Sequence, residues 1–159
     1  MSAVKLPGSE SVWDYPRPPR IETIDWPLRV EHDGQVLAET TSGIRVLETS
    51  HPPCFYFPPE SVDCSRLVAS DTRTFCEWKG QASYWHLQGE SGLVRDACWA
   101  YPNPIDERIR DHISFYAGRV DACFVAGERV KPQDGDFYGG WILSWVKGPF
   151  KGGPGTRGW

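Results

Sequence analysis

The chain has 159 residues, 40% hydrophobic and 24% charged, the balance of a globular protein long enough to bury a core. Its net charge of −4 argues against nucleic acid as the main partner, and no apolar run approaches a membrane span. Eight Trp and 14 Pro favour strands over helices, and five Cys without a CxxC pair read as free thiols rather than zinc ligands.

The opening MSAVKLPGSESVWDYPRPPR lacks the apolar core of a signal peptide, so a cytoplasmic location is expected. Residues 1–25 read as an extension, in which Pro16-Arg17-Pro18-Pro19-Arg20 forms a polyproline strap with Trp13 and Tyr15 as anchors. The same segment could instead serve as a ligand for a proline-binding module. Residues 26–159 read as a single β domain.

Within it, LRVEHDGQVLAET predicts a hairpin, because Asp33-Gly34 suits the positive φ angles of a primed turn. GIRVLE alternates, with Ile44, Val46 and Glu48 on one face and Arg45 and Leu47 on the other. CFYF (54–57) is a short strand bracketed by prolines, and ESVDCSRL has room for one helical turn. FCEWKGQASYWH (75–86) predicts a hairpin turning at Lys79-Gly80, with Trp78 opposite Gln81, Cys76 opposite Ser83 and Phe75 opposite Tyr84. Arg95 to Tyr101 is the next strand. PIDERIRDH (104–112) predicts the one short helix, with Ile105 and Ile109 four apart. Residues 113–130 give two or three short strands with turns at Gly118 and Gly127, and from Gln133 a Gly/Trp/Pro-rich tail wraps the domain as loops.

Neither face of the 75–86 hairpin is purely polar, so its Cys, Glu, Lys, Tyr and His either form a buried network or line a pocket. Glu48 continues an apolar strand face. It is either a buried carboxylate needing a partner among Arg73, Lys79, His51 and Tyr56, or a rim residue where the strand leaves the sheet. His51 and His86 could be acid–base groups, but their spacing is not that of metal ligands. Cys76 could act as a nucleophile if Lys79 lowers its pKa, and Cys123 is a second candidate thiol; burial as small hydrophobes is the alternative for both. The matches to GxGxxG at 153–158 and to DxD at Asp134-Gly-Asp136 read as turns, since no helix N-terminus or phosphate cradle accompanies them.

The chain resembles the domain of unknown function 427 family. The resemblance rests on Glu48, Pro52-Pro53, Tyr56 and Pro58, on Thr74, Cys76, Lys79, Gly80 and Tyr84, and on Trp99, Tyr101, Pro102, Phe115 and Tyr116. It implies a β-tent-like fold of two antiparallel sheets meeting at an angle, with an aromatic-lined pocket on the concave side. The zinc-binding CxxC pairs of β-tent relatives are absent, so no metal or cofactor is expected. A nucleotidyltransferase-like label attached to the family finds no Gly-Ser and paired-Asp signature here.

These readings converge on a small-molecule ligand. Glu48 and Lys79 are the acid–base candidates, Cys76 a candidate catalytic thiol, and Tyr56, His51, Glu77, Trp78, Tyr84, Trp85 and Trp99 the candidate ligand-binding groups. Three functions stay open: a metabolite-binding protein or small metal-free enzyme, a thiol redox enzyme, and a protein-interaction module. Neither the reaction nor the oligomeric state is legible.

Overall fold

The computed structural model describes residues 6–135, 137–156 and 158–159, so residues 1–5 of the extension, Asp136 of the DxD match and Arg157 of the GxGxxG match lie outside it. In chain order the strands are β1 (Glu10–Ser11), β2 (Arg20–Thr23), β3 (Leu28–His32), β4 (Gln35–Thr40), β5 (Ile44–Leu47), β6 (Cys54–Tyr56) and β7 (Leu67–Cys76). They continue as β8 (Gly80–Gly89), β9 (Gly92–Ala100), β10 (Ser114–Phe115), β11 (Ala122–Val125), β12 (Glu128–Arg129), β13 (Lys131–Pro132), β14 (Trp141–Ile142) and β15 (Val146–Lys147).

The fold is mainly β. A three-stranded sheet runs β2-β5-β6, and two four-stranded sheets run β10-β9-β8-β7 and β12-β11-β3-β4, all antiparallel. Phe57 and Ile113 exchange two backbone hydrogen bonds of 2.8 Å, which stitch the end of β6 to the start of β10. No barrel closes.

Local chemistry sets these elements. Asp33 (φ 56°) and Gly34 (φ 71°) make the primed turn between β3 and β4, as their sequence predicts. The 75–86 hairpin turns differently from expectation. Cys76 pairs with Gly80, so Glu77, Trp78 and Lys79 form a three-residue turn, and Gly80 (φ 111°) follows it as the first strand residue. Pairing therefore shifts: Phe75 meets Gln81, Thr74 meets Ala82, and Phe75 points out, 73% exposed. The odd shift exchanges the partners across the hairpin and leaves Thr74, Cys76, Ala82 and Tyr84 facing inward.

The helix expected over 104–112 reduces to one 3-10 turn, Glu107–Ile109. The Asp106 side chain accepts from Arg108 N, and Arg110 is already extended, so a single capped turn replaces a helix too short to nucleate. Ile109 is fully buried while Ile105 is 66% exposed, the opposite of a shared helical face.

β5 lies between β2 and β6, and all four of its residues are buried. Ile44 and Val46 join Tyr56, Tyr84, Trp99, Tyr101 and Tyr116 in one apolar cluster, while Leu47 joins the larger core around Phe55, Phe57 and Trp141. Arg45, 4% exposed, is held by Glu10 at 3.0 Å and Glu22 at 2.8 Å and lies 5.0 Å from the Trp26 ring centroid. Burial raises the Glu10 pKa, but donors from Arg45 and Tyr15 outweigh it and hold the carboxyl below its ordinary range.

The proline-rich segment packs along this sheet. Val12 and Tyr15 are buried, and β1 pairs in parallel with β15. Trp13 is 43% exposed, yet it meets Trp159 edge-on at 5.3 Å and donates from Nε1 to Pro149 O. β2, inside the span read as an extension, is an integral strand of the β5 sheet.

Candidate functional site

Where the β2-β5-β6 sheet meets the β10-β9-β8-β7 sheet, a cleft of about 390 Å³ opens. Its floor is the aromatic cluster. Trp99 is central there, with ring centroids of Tyr116 at 4.6 Å, Tyr56 at 6.2 Å and Tyr84 at 6.4 Å, and its Nε1 lies 3.3 Å from Tyr56 OH. Strand alternation puts Thr74, Cys76 and Tyr84 on this side, and Thr74 Oγ1 and Tyr84 OH share a 2.9 Å hydrogen bond.

Of the residues singled out from sequence, Glu48, His51, Cys76, Glu77, Trp78, Lys79, Tyr84 and Trp99 line the cleft. Glu77 is exposed at its mouth. Tyr56 does not line it: fully buried, it supports Trp99 from behind, where burial drives its phenol pKa far up. Trp85 is not in the cleft either. As the neighbour of inward-facing Tyr84 it points to the opposite side of β8 and packs against the larger core.

Glu48 sits just beyond the end of β5. Among the described residues its nearest cation is Arg17, at 3.5 Å, and His51 Nε2 lies 3.6 Å away. The expected Glu48–Lys79 ion pair is not formed; the two groups face one cleft without contact. Burial, then the fields of Lys79, Lys151 and Arg17, push His51 down to about 3, so its imidazole is neutral near pH 7. Burial also weakens the Lys79 ammonium, but Tyr101, Cys54, Cys76 and Glu48 around it more than offset this, and Lys79 stays charged. The Cys54 thiol, beside Cys76 in the lining, is pushed up to about 11 by burial. Cys123 lies in the larger core, 1% exposed, with its pKa driven upward by burial, and does not line the cleft. Among the described residues no group of three His, Cys, Asp or Glu side chains is placed to hold a metal ion.

Sequence reasoning passed over Arg17, Cys54, Tyr138 and Lys151 as lining groups. The Tyr138 ring lies 4.9 Å from the His51 ring, tilted by 58°, and Lys151 Nζ stands 5.3 Å from the Tyr138 centroid. Both come from the C-terminal segment, whose irregular backbone carries no periodic signal. A Cβ on Gly139 would collide with the Trp99 indole, so that segment lies directly against the aromatic floor. A shallower depression of about 590 Å³ over β3, β4 and β11 offers little charge, because its Arg29 already pairs with Glu31 at 2.7 Å and Glu39 at 3.2 Å.

The chain belongs to the family described as Domain of unknown function (DUF427), whose model matches residues 20–126. No curated protein matches it. Arg17, Tyr138 and Lys151 therefore stand outside the matched span, while Glu48, Cys76, Lys79, Tyr84 and Trp99 stand inside it. Among the described residues no helix is long and apolar enough to cross a membrane.

Proposed function

We propose that the cleft binds a small organic molecule with a flat apolar portion. The observation that carries this reading is the floor itself: Trp99, Tyr84 and Tyr116 form a rigid aromatic surface beside Thr74, His51, Glu48 and Lys79. A concave site in which apolar and aromatic surface meets a few convergent polar groups is the usual form of a small-molecule site. The volume of about 390 Å³ suits a metabolite rather than a peptide.

Metal-free acid–base catalysis is the second reading, favoured by the Glu48 carboxylate and neutral His51 standing 3.6 Å apart on one wall. Lys79, held protonated, serves it as a cation rather than as a base. For the thiol alternative, Cys76 lines the cleft with Lys79, whereas Cys123 is enclosed in the core and the Cys54 thiol is disfavoured as a thiolate.

The test is a fragment screen by NMR against the whole chain with the Trp indole N–H signals assigned. Flat aromatic fragments should shift the Trp99 signal and leave those of Trp26 and Trp141 in place. A screen at millimolar concentration in which no fragment moves Trp99 would overturn the reading. If ligands are found, Glu48→Gln separates its two forms: a binding protein keeps its affinity, whereas the enzyme loses turnover by about 100-fold or more.

A further inference from the structure

Among the described residues, two ammonium groups in the cleft form no ion pair. Lys79 projects from the turn between β7 and β8, and Lys151 from the C-terminal segment. Among the described residues, neither Nζ has a carboxylate within ion-pair distance or a hydrogen-bond acceptor. Each rests against a ring, Lys79 at 6.0 Å from the Tyr101 centroid and Lys151 at 5.3 Å from that of Tyr138.

The other charges of the cleft are already engaged or lie at its edge. Glu48 is matched by Arg17, and Arg17 also donates to Thr49 O at 3.0 Å and Trp159 O at 2.8 Å. Glu77 is exposed at the mouth. Among the described residues neither lysine has a direct ion pair, although the field of Glu48 reaches Lys79. Both lysines line one cleft of about 390 Å³ with His51, whose pKa the fields of Lys79 and Lys151 each lower. A bound anion would give each ammonium group a direct charge-assisted partner.

Resting on the small-molecule reading above, we propose that the occupant bears a carboxylate or phosphate group clamped between Lys79 and Lys151, with its flat portion on Trp99 and Tyr116. Lys151 then acts as a specificity-determining residue supplied from outside the family-matched span, while Lys79 is supplied from within it. Relatives sharing only the matched region would keep half of the clamp.

Naphthyl probes of one shape test this: 1-naphthylacetate, 1-naphthyl phosphate and neutral 1-naphthylacetamide, titrated against the whole chain by calorimetry at fixed ionic strength. The anions should bind at least tenfold tighter than the amide, and whichever anion binds better identifies the carboxylate or phosphate class. Lys79→Met and Lys151→Met should each weaken the anions about tenfold and leave the amide within twofold, as loss of one charge-assisted hydrogen bond predicts. Lys151→Arg should retain the anion preference, which separates lost charge from lost packing. Equal affinity for acid and amide, or an anion preference that survives both methionine variants, overturns the clamp while leaving the small-molecule reading intact. No binding by any of the three at 5 mM overturns both.

Discussion

Arg45 shows how a single charge can organise a sheet from inside. Buried to 4% exposure on the central strand, it depends on Glu10 and Glu22 for compensation and on Trp26 for packing. Removing one partner of a buried pair leaves the other charge exposed to a low dielectric, a cost of about 3 kcal/mol. Glu10→Gln should therefore lower the unfolding free energy by an amount of that order, read as a fall in the urea midpoint. Glu10→Gln combined with Arg45→Met should cost less than the sum of the two single changes. An unchanged midpoint for Glu10→Gln would mean that Glu22 alone satisfies the guanidinium.

Among the elements, the C-terminal segment carries more than a tail of loops would. Trp141 is fully buried between Phe55, at 5.3 Å, and Phe57, at 6.1 Å, and its Nε1 donates to Phe115 O. Trp141→Ala should cost about 3–5 kcal/mol, read from the denaturant midpoint. Phe137→Ala, four residues away and 54% exposed, should stay within about 0.5 kcal/mol. Equal effects would mean that the segment is not part of the core. How much of this was legible follows from the backbone. Asp33-Gly34 announced its turn because only such residues accept two positive φ angles in succession. Lys79-Gly80 announced a turn but not its length: Gly80 takes its positive φ one place later, and pairing slipped with it. Asp106 capped a single turn where apolar spacing suggested a helix. Cys76, Lys79 and Tyr84 could be placed together because one hairpin carries all three. Arg17, Tyr138 and Lys151 reach the cleft on irregular chain, where no period or pairing rule says which way a side chain points.

At the scale of the whole molecule, acid should weaken the fold through His51. The ring is 12% exposed, 3.6 Å from Glu48, tilted against Tyr138, and in the fields of Lys79, Lys151 and Arg17. Its folded pKa, about 3, lies below the unfolded value of about 6.5, so the unfolded chain binds the extra proton between those limits. Stability is thus fully present above about pH 6.5 and falls as pH drops toward 3, by up to about 1.4 kcal/mol per pH unit. His51→Gln should flatten the limb between pH 6.5 and 4.5, leaving the steeper carboxylate loss below it. A variant whose acid limb superimposes on that of the parent chain would contradict this account. The tryptophan pairs carry a different consequence. Trp13 meets Trp159 at 68° and Trp26 meets Trp145 at 84°, each joining the early chain to its last stretch. Indoles so close and so steeply crossed couple their electronic transitions, which gives the molecule a native optical signature in the near ultraviolet. That contribution reports the packing of the early chain against the last stretch, so near-ultraviolet dichroism can follow the loss of this contact during unfolding.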